Sequence, residues 1–352
     1  MPIEVREFDG DVETLTNFVV SGWRAMYATS GYVPIWTADY FRWQMPSLAA
    51  GRTDEVIAAY DDGRLVGVYP AEVVPARLRG EPMTVTMSSW LTVEPTLLRK
   101  GIGRALLNEV RRFNQKIGGV YNIGFINQGA IAGKGRAFWT ASPAPITMFK
   151  RPRMWVHLLD WRTLAQAMWS RSDRISVALT GAAMGSRVSA VSKLVRPYRA
   201  ADLDSCHALF QEYMSRFEFQ YCWDRERLGH HLGFGSPSRT LVLDSPGGVE
   251  GFVNFHILEA SGRRPFRIGM IDGLAPERLD VSKAVALLNG VLAEMRDAGV
   301  ALATVLGPPI YRRSVLLKCG FLPPPSTYKL IFIEMQPGTS LAGLQRIYTQ
   351  LR

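Results

Sequence analysis

The chain repeats its own order of elements, and that repeat constrains the fold more than any single motif. Val5-Arg6-Glu7-Phe8-Asp9-Gly10-Asp11 leads into an apolar, helix-like stretch through Phe18, Val19 and Trp23. Val195-Arg196-Pro197-Tyr198-Arg199-Ala200-Ala201-Asp202 does the same, through Leu209, Phe210 and Met214. A hairpin pattern follows each. Val56 to Tyr60 and Leu65 to Val68 flank Asp61-Asp62-Gly63, and Thr240 to Leu243 and Val249 to Ile257 flank Asp244-Ser245-Pro246-Gly247-Gly248. Each half then carries a long helix ended by glycine, with a strand at once behind it: Gly118-Gly119 before Val120 to Phe125, and Gly299 before Val300 to Leu306. Strand, helix, hairpin, strand, helix, strand therefore occurs twice, displaced by somewhat under two hundred residues. Such alternation calls for α/β layers, so two tandem domains are expected, each a mixed sheet flanked by helices. The expected divisions are 1–161, a helical linker at 162–194, 195–336, and a tail at 337–352.

With 352 residues, 47% hydrophobic and 20% charged, either half is long enough to bury its own core. No run of apolar residues is long enough for a membrane span, and the charged start Met1-Pro2-Ile3-Glu4-Val5-Arg6 is unlike a signal peptide. Cys206, Cys222 and Cys319 lie far apart and the five histidines are scattered, which points to no metal site and to a reducing cytoplasm. The net charge of +10 admits a nucleic acid, a polyanionic cofactor or an acidic carrier protein as partner. Because the basic residues are spread out, without interleaved aromatics, nucleic acid is the weakest of the three. Lys150-Arg151-Pro152-Arg153 is a compact basic run that leaves room for an acidic carrier.

The sharpest chemical signal is at residues 90–117. Trp90-Leu91-Thr92-Val93 reads as a strand end that Glu94-Pro95 stops. Ile102, Leu106, Val110, Phe113 and Ile117 then form one helical stripe. Gly101 and Gly103 thus fall where loop becomes helix. There the missing Cβ atoms, the unpaired amides and the helix dipole favour phosphate oxygens, with Arg99, Lys100 and Arg104 adding charge. A third glycine is missing for a dinucleotide loop, and Gly-Lys-Ser/Thr for a Walker loop.

Val93-Glu94-Pro95-Thr96-Leu97-Leu98-Arg99-Lys100-Gly101-Ile102-Gly103-Arg104-Ala105 resembles the acyl-CoA-binding signature of the GNAT (GCN5-related N-acetyltransferase) superfamily, Q/R-x-x-G-x-G/A. The family's Q/R slot holds Leu98 here; Arg99 or Lys100 can supply its charge, and the backbone amides need no side chain. The resemblance implies that Leu98 to Ala105 hold the pyrophosphate, that backbone at Leu91, Thr92 and Val93 meets the thioester, and that Asn127 contacts the pantetheine or leaving group. In the second half, Ala275-Pro276-Glu277-Arg278-Leu279-Asp280-Val281-Ser282-Lys283 lacks the glycine pair and carries two acids, so it resembles the degenerate partner domain of tandem GNAT proteins.

That family implies direct attack of an amine on an acyl thioester. Acetyl-CoA is the default donor, with a longer acyl-CoA or an acyl-carrier-protein thioester as the alternative. A small-molecule or peptide amine is the acceptor, and a non-catalytic acyl-CoA sensor is the reading from another class. Met87 stands where histone acetyltransferase-like members carry a glutamate, so the general base falls to Glu94, Glu72, Glu81 or a water chain. Tyr311, in the second copy, is the candidate general acid. Trp23, Tyr27, Tyr32, Trp36, Tyr40, Phe41 and Trp43 crowd one segment, as core or as the wall of a large apolar acceptor or acyl site.

Overall fold

A computed structural model describes residues 3–27, 31–127, 145–149, 153–185, 188–272, 279–307, 312–324, 328–337 and 339–348. The first half runs β1 (Glu4–Glu7), α1 (Val12–Tyr27), β2 (Val33–Ile35), α2 (Ala38–Gln44), α3 (Pro46–Ala49), β3 (Val56–Asp61), β4 (Arg64–Leu78), β5 (Glu81–Ser88), β6 (Thr92–Val93), α4 (Ile102–Ile117), β7 (Gly119–Asn127), β8 (Ile146–Phe149) and β9 (Arg153–Leu158). After α5 (Trp161–Ala167) and α6 (Arg171–Met184) come β10 (Val195–Pro197), α7 (Leu203–Met214), β11 (Phe219–Tyr221), α8 (Arg225–Gly233), β12 (Ser238–Ser245), β13 (Gly248–Ser261), β14 (Pro265–Ile271), α9 (Val281–Asp297), β15 (Val300–Gly307), α10 (Arg313–Lys318) and β16 (Tyr328–Glu334). Among the described residues no helix is long and apolar enough to cross a membrane.

Turn chemistry sets the first sheet. Asp62 and Gly63 both have positive φ, as a two-residue hairpin between Asp61 and Arg64 requires, and Arg79 and Gly80 repeat this between β4 and β5. The strands order as β1-β3-β4-β5-β7-β16-β8 in one sheet and β10-β12-β13-β14-β15-β9 in the other. Both are mixed sheets flanked by helices, as the repeat implies.

Neither sheet is built by one half alone. The late strand β16 inserts between β7 and β8, while β9 pairs antiparallel with β15. A second exchange lies at the far ends of the two longest strands: β11 pairs with β4 at Leu78, and β2 pairs with β13 at Glu259. Residues 153–158 thus belong to the second sheet and 328–334 to the first, which a division at 161 does not reflect. The main core is shared in the same way, with Val85 and Ile123 packed together with Phe219 and Phe332.

The linker is helical at α5 and α6. Leu164 is buried and Gly181 sits so close to the Trp161 ring that a Cβ would lie 2.2 Å from it, but Ile175 and Leu179 face solvent. The tail is part of the core. Leu341, Leu344 and Tyr348 are buried, and the Glu218 carboxylate accepts the N–H groups of Gln345 and Arg346 at 2.9 Å each.

A buried ion pair crosses the seam between the halves. Glu72 of β4, 1% exposed, accepts a hydrogen bond from the Arg227 guanidinium of α8. Behind it Glu55 accepts from the Ser47 hydroxyl at 2.7 Å. Burial, with the Glu72 charge adding to it, pushes the Glu55 carboxyl up to about 7.

Arg227→Met should lower stability in chemical denaturation by about 3 kcal/mol, because it leaves a carboxylate buried without its cation. Glu72→Met combined with Arg227→Met should recover most of that loss. Glu55 favours the fold when protonated, so its contribution is full below its ordinary value of 4.5 and is lost as pH rises through about 7. Unfolding midpoints of Glu55→Gln should accordingly depend less on pH over that window than those of the parent chain.

Candidate functional site

The loop between β6 and α4 is held at both ends and open in the middle. Glu94 N–H donates to Val66 O at 2.9 Å, and a short helical turn, Pro95–Leu97, follows. Arg99 (φ +67°) and Gly101 (φ +85°) both adopt left-handed backbone, and Gly101 is the N-cap of α4 without any side-chain cap. Its carbonyl accepts from the amides of Arg104 and Ala105 at 3.0 Å each. The amides of Arg99, Gly101, Ile102 and Gly103 make no hydrogen bond to a described residue. A Cβ on Gly101 would meet nothing within 4 Å, so the space before those amides is clear. Exposed amides at a helix N-terminus, beside exposed Arg99, Lys100 and Arg104, make an anion site.

Helix α4 is pressed onto the sheet behind this loop. Ile102, Leu106 and Val110 are buried, and Gly67 of β4 leaves room for them, since a Cβ there would stand 3.0 Å from Ile102 Cγ2. Asn114, absent from the apolar stripe expected of the helix, is also buried and accepts from the Thr86 hydroxyl at 3.1 Å.

At the strand end the two sides of the sheet part. Parallel pairing of β5 with β7 stops at Met87 and Ile123, and β6 instead pairs with β4 at Val68 and Gly67. Between them Trp90 takes φ +54°, an unusual conformation for a bulky residue and a form of local strain common at functional sites. The N–H groups of Trp90 and Leu91 donate to no described backbone group, which leaves two donors at the opening. Thr92 serves packing: its hydroxyl accepts from Trp23 Nε1 at 2.9 Å and donates to Trp90 O at 2.8 Å. Val93 is buried beside α4.

The expected catalytic carboxylates have different surroundings. Glu94 accepts from Arg64 at 2.5 Å and from the Thr96 hydroxyl at 2.9 Å. The Thr96 bond first, then Arg64, hold its carboxyl below the usual range, so it is a weak proton acceptor that ties the loop to the β3–β4 hairpin. Glu81 begins β5 at the end remote from the opening. Glu72 lies directly across the β4–β5 pairing from Met87, on the seam side, where it is neutralised by Arg227. Asn127 is the last residue of β7, and Tyr311, Lys150–Pro152 and residues 273–278 of the second loop lie outside the described residues. The rest of that second loop is plain: the Asp280 carboxylate caps α9 by accepting Lys283 N–H at 2.8 Å. A built-in anion therefore occupies the helix end that Gly101 leaves open in the first half.

The aromatic segment forms the seam's floor. Tyr40, Phe41 and Trp43 are buried, and Phe41 and Tyr40 stand 4.8 Å and 6.0 Å from Trp90. From the second half, His231 stacks on Trp43 at 4.7 Å, and the His256 imidazole lies 5.3 Å from Tyr40 with its Nδ1 hydrogen-bonded to Asp272. The sequence offers little sign of Arg227, His231, His256 and Asp272 as a group, because they fall in three separate stretches, with only Arg227 and His231 sharing a helix.

No protein-family model matches the chain. The glycylpeptide N-tetradecanoyltransferase of Emericella nidulans is 25% identical over 191 residues, covering 53% of this chain and 35% of that protein. The match thus spans about a third of that relative's length. Saccharomyces cerevisiae N-myristoyltransferase with bound myristoyl-CoA superposes with a TM-score of 0.72 at 18% identity, over 94% of this chain and 82% of that one. A GCN5-related N-acetyltransferase from Anabaena variabilis gives 0.54 at 10% identity, over 95% and 73%. The fold is accordingly that of the GNAT superfamily, in the tandem form.

Gly101→Val should cost about 1 to 2 kcal/mol locally, because a β-branched residue resists φ +85°. Isothermal titration with CoA should show it as weaker binding. Arg99→Glu with Lys100→Glu should weaken binding further, by tenfold or more for about 1.4 kcal/mol lost; unchanged affinity would move the anion site elsewhere.

Proposed function

We propose that this tandem-GNAT-fold chain is an N-acyltransferase that carries a long acyl group from CoA to the N-terminal amine of a peptide. The open loop at Arg99–Gly103 takes the CoA pyrophosphate, and the N–H groups of Trp90 and Leu91 meet the thioester carbonyl as it becomes an oxyanion. The amine attacks the carbonyl carbon, the C–N bond forms, the C–S bond breaks, and a proton from nitrogen ends on the thiolate sulfur. The coarse reading, N-acyl transfer, is supported by the fold together with the loop. Replacing the acetyl default with a long chain rests on one observation: the chain superposes on N-myristoyltransferase with a TM-score of 0.72 over 94% of its length, against 0.54 over 95% for the GCN5-related N-acetyltransferase. The aromatic seam is in keeping with an apolar donor and an extended acceptor.

A thiol-release assay with acetyl-, octanoyl-, myristoyl- and palmitoyl-CoA against a peptide with N-terminal glycine tests both points. Each buried methylene contributes about 0.8 kcal/mol, so kcat/KM should rise at least about tenfold from acetyl to the preferred long chain. The N-acetylated peptide should release no thiol. A rate highest with acetyl-CoA would restore the short-chain reading, and CoA binding without turnover would favour a sensor.

A further inference from the structure

Buried polar atoms in a folded chain nearly always have partners, since each one left bare costs about 1 to 3 kcal/mol. Three such groups around one ring break that rule. Tyr40 lies in the floor of the seam, and about it His256 Nε2, Trp90 Nε1 and both side-chain polar atoms of Gln44 make no hydrogen bond to a described residue. Gln44 is one turn from Tyr40 on α2, and the Trp90 and His256 rings are 6.0 Å and 5.3 Å away. All three residues are buried, His256 completely.

The imidazole is set up for one role. Its Nδ1 is bonded to the Asp272 carboxylate, which can only accept, so the proton is on Nδ1 and the lone pair on Nε2. The His256 ring packs against Tyr40, which in turn meets Trp90, the residue at the opening of the first sheet. Within the second half, Asp272 follows β14 where its parallel pairing with β15 ends, at Ile271 and Val305. His256 is opposite Met270 as Glu72 is opposite Met87, so the two halves place an ionisable residue at matching positions. Glu72 is neutralised by Arg227; His256 keeps an unused acceptor.

We infer that the Tyr40 surround is the acceptor-amine pocket, with His256, oriented by Asp272, as its proton acceptor. The inference rests on the N-acyltransferase reading above and adds the base that reading lacks. The entering ammonium gives one proton to His256 Nε2 and is held by the Gln44 side-chain oxygen. The neutral amine then attacks the thioester; on collapse its second proton passes to the thiolate, and His256 sheds the first to solvent. The Tyr40 and Trp43 rings bury this place, so water does not compete there for the proton. Other titratable groups at this place are Asp272 itself, Tyr40, His231 across Trp43, and Tyr348 near Asp272, whose hydroxyl burial holds protonated.

His256→Gln should cut kcat by about a hundredfold or more while leaving the CoA titration unchanged. Asp272→Asn should lower kcat similarly by favouring the other tautomer. Imidazole nitrogen NMR on the full wild-type chain, which needs no variant to fold, should find Nδ1 protonated and Nε2 bare. The Nε2 signal should move on adding the free-amine peptide and stay put with its N-acetylated form. An active wild type whose His256→Gln variant keeps its kcat overturns this inference alone, as does a proton found on Nε2. A wild type that transfers no acyl group in any arm overturns the proposed function, and this inference with it.

Discussion

Each sheet of this chain is finished by strands from the opposite half, and the placement of everything else follows from that exchange. Strands β16 and β11 cross to the first sheet, and β9 and β2 cross to the second. Without β16, the outer edge of β7 would present a row of unpaired backbone groups within what is now the core, and without β9 the same would hold for β15. The two halves therefore cannot part without breaking ladder hydrogen bonds in both sheets. Strands β4 and β13, at 15 and 14 residues, are long enough to pair with their own neighbours at one end and with a visitor at the other. The seam is consequently a fixed wall, in which side chains from both halves keep their spacing.

A rigid seam explains how charge is tolerated inside it. An ion pair such as Glu72–Arg227 gains little net stability once desolvation is counted, yet removing either partner is expensive. Its members come from β4 and α8, so the pair penalises any sliding of one half over the other. Glu55, close behind, lessens the same penalty by holding its proton up to about pH 7. The aromatic floor beside them needs no such compensation, because Tyr40, Phe41 and Trp90 meet edge-on or tilted, as ring quadrupoles prefer.

What the sequence discloses and what it hides divide along a physical line. Asp62-Gly63, the stripe Ile102–Leu106–Val110 and the loop glycines are local codes, legible because backbone conformation and helical period act over a few residues. Strand exchange has no local code: Tyr328–Glu334 reads as an apolar strand whichever sheet receives it. The tail looks like an appendix for the same reason, its anchor being the distant Glu218. Glu94 is a plausible base in sequence because it is near the thioester position, but Arg64 and Thr96, which determine its basicity, come from a neighbouring hairpin and the adjoining turn. His256 and Asp272 are polar residues in largely apolar stretches, and only the β13–β14 pairing makes them a pair.

Duplication leaves a chain with two copies of each device, and the physics of one helix terminus shows how they diverged. In the first half Gly101 caps α4 with no side chain, so the dipole and free amides there face outward unsatisfied, beside Arg99 and Lys100. In the second half the Asp280 carboxylate already sits on the amide of Lys283, whose ammonium is paired with Glu250. A phosphate approaching α9 would have to expel that carboxylate and then face both acids. One copy thus leaves its helix end open and the other fills it with an internal anion. Since the strand exchange prevents the second half from drifting away, the space beside its sheet opening is kept against the first half's Trp90 and Tyr40. Tyr40 and Trp90 of the first half thus meet His256 of the second in one buried cluster.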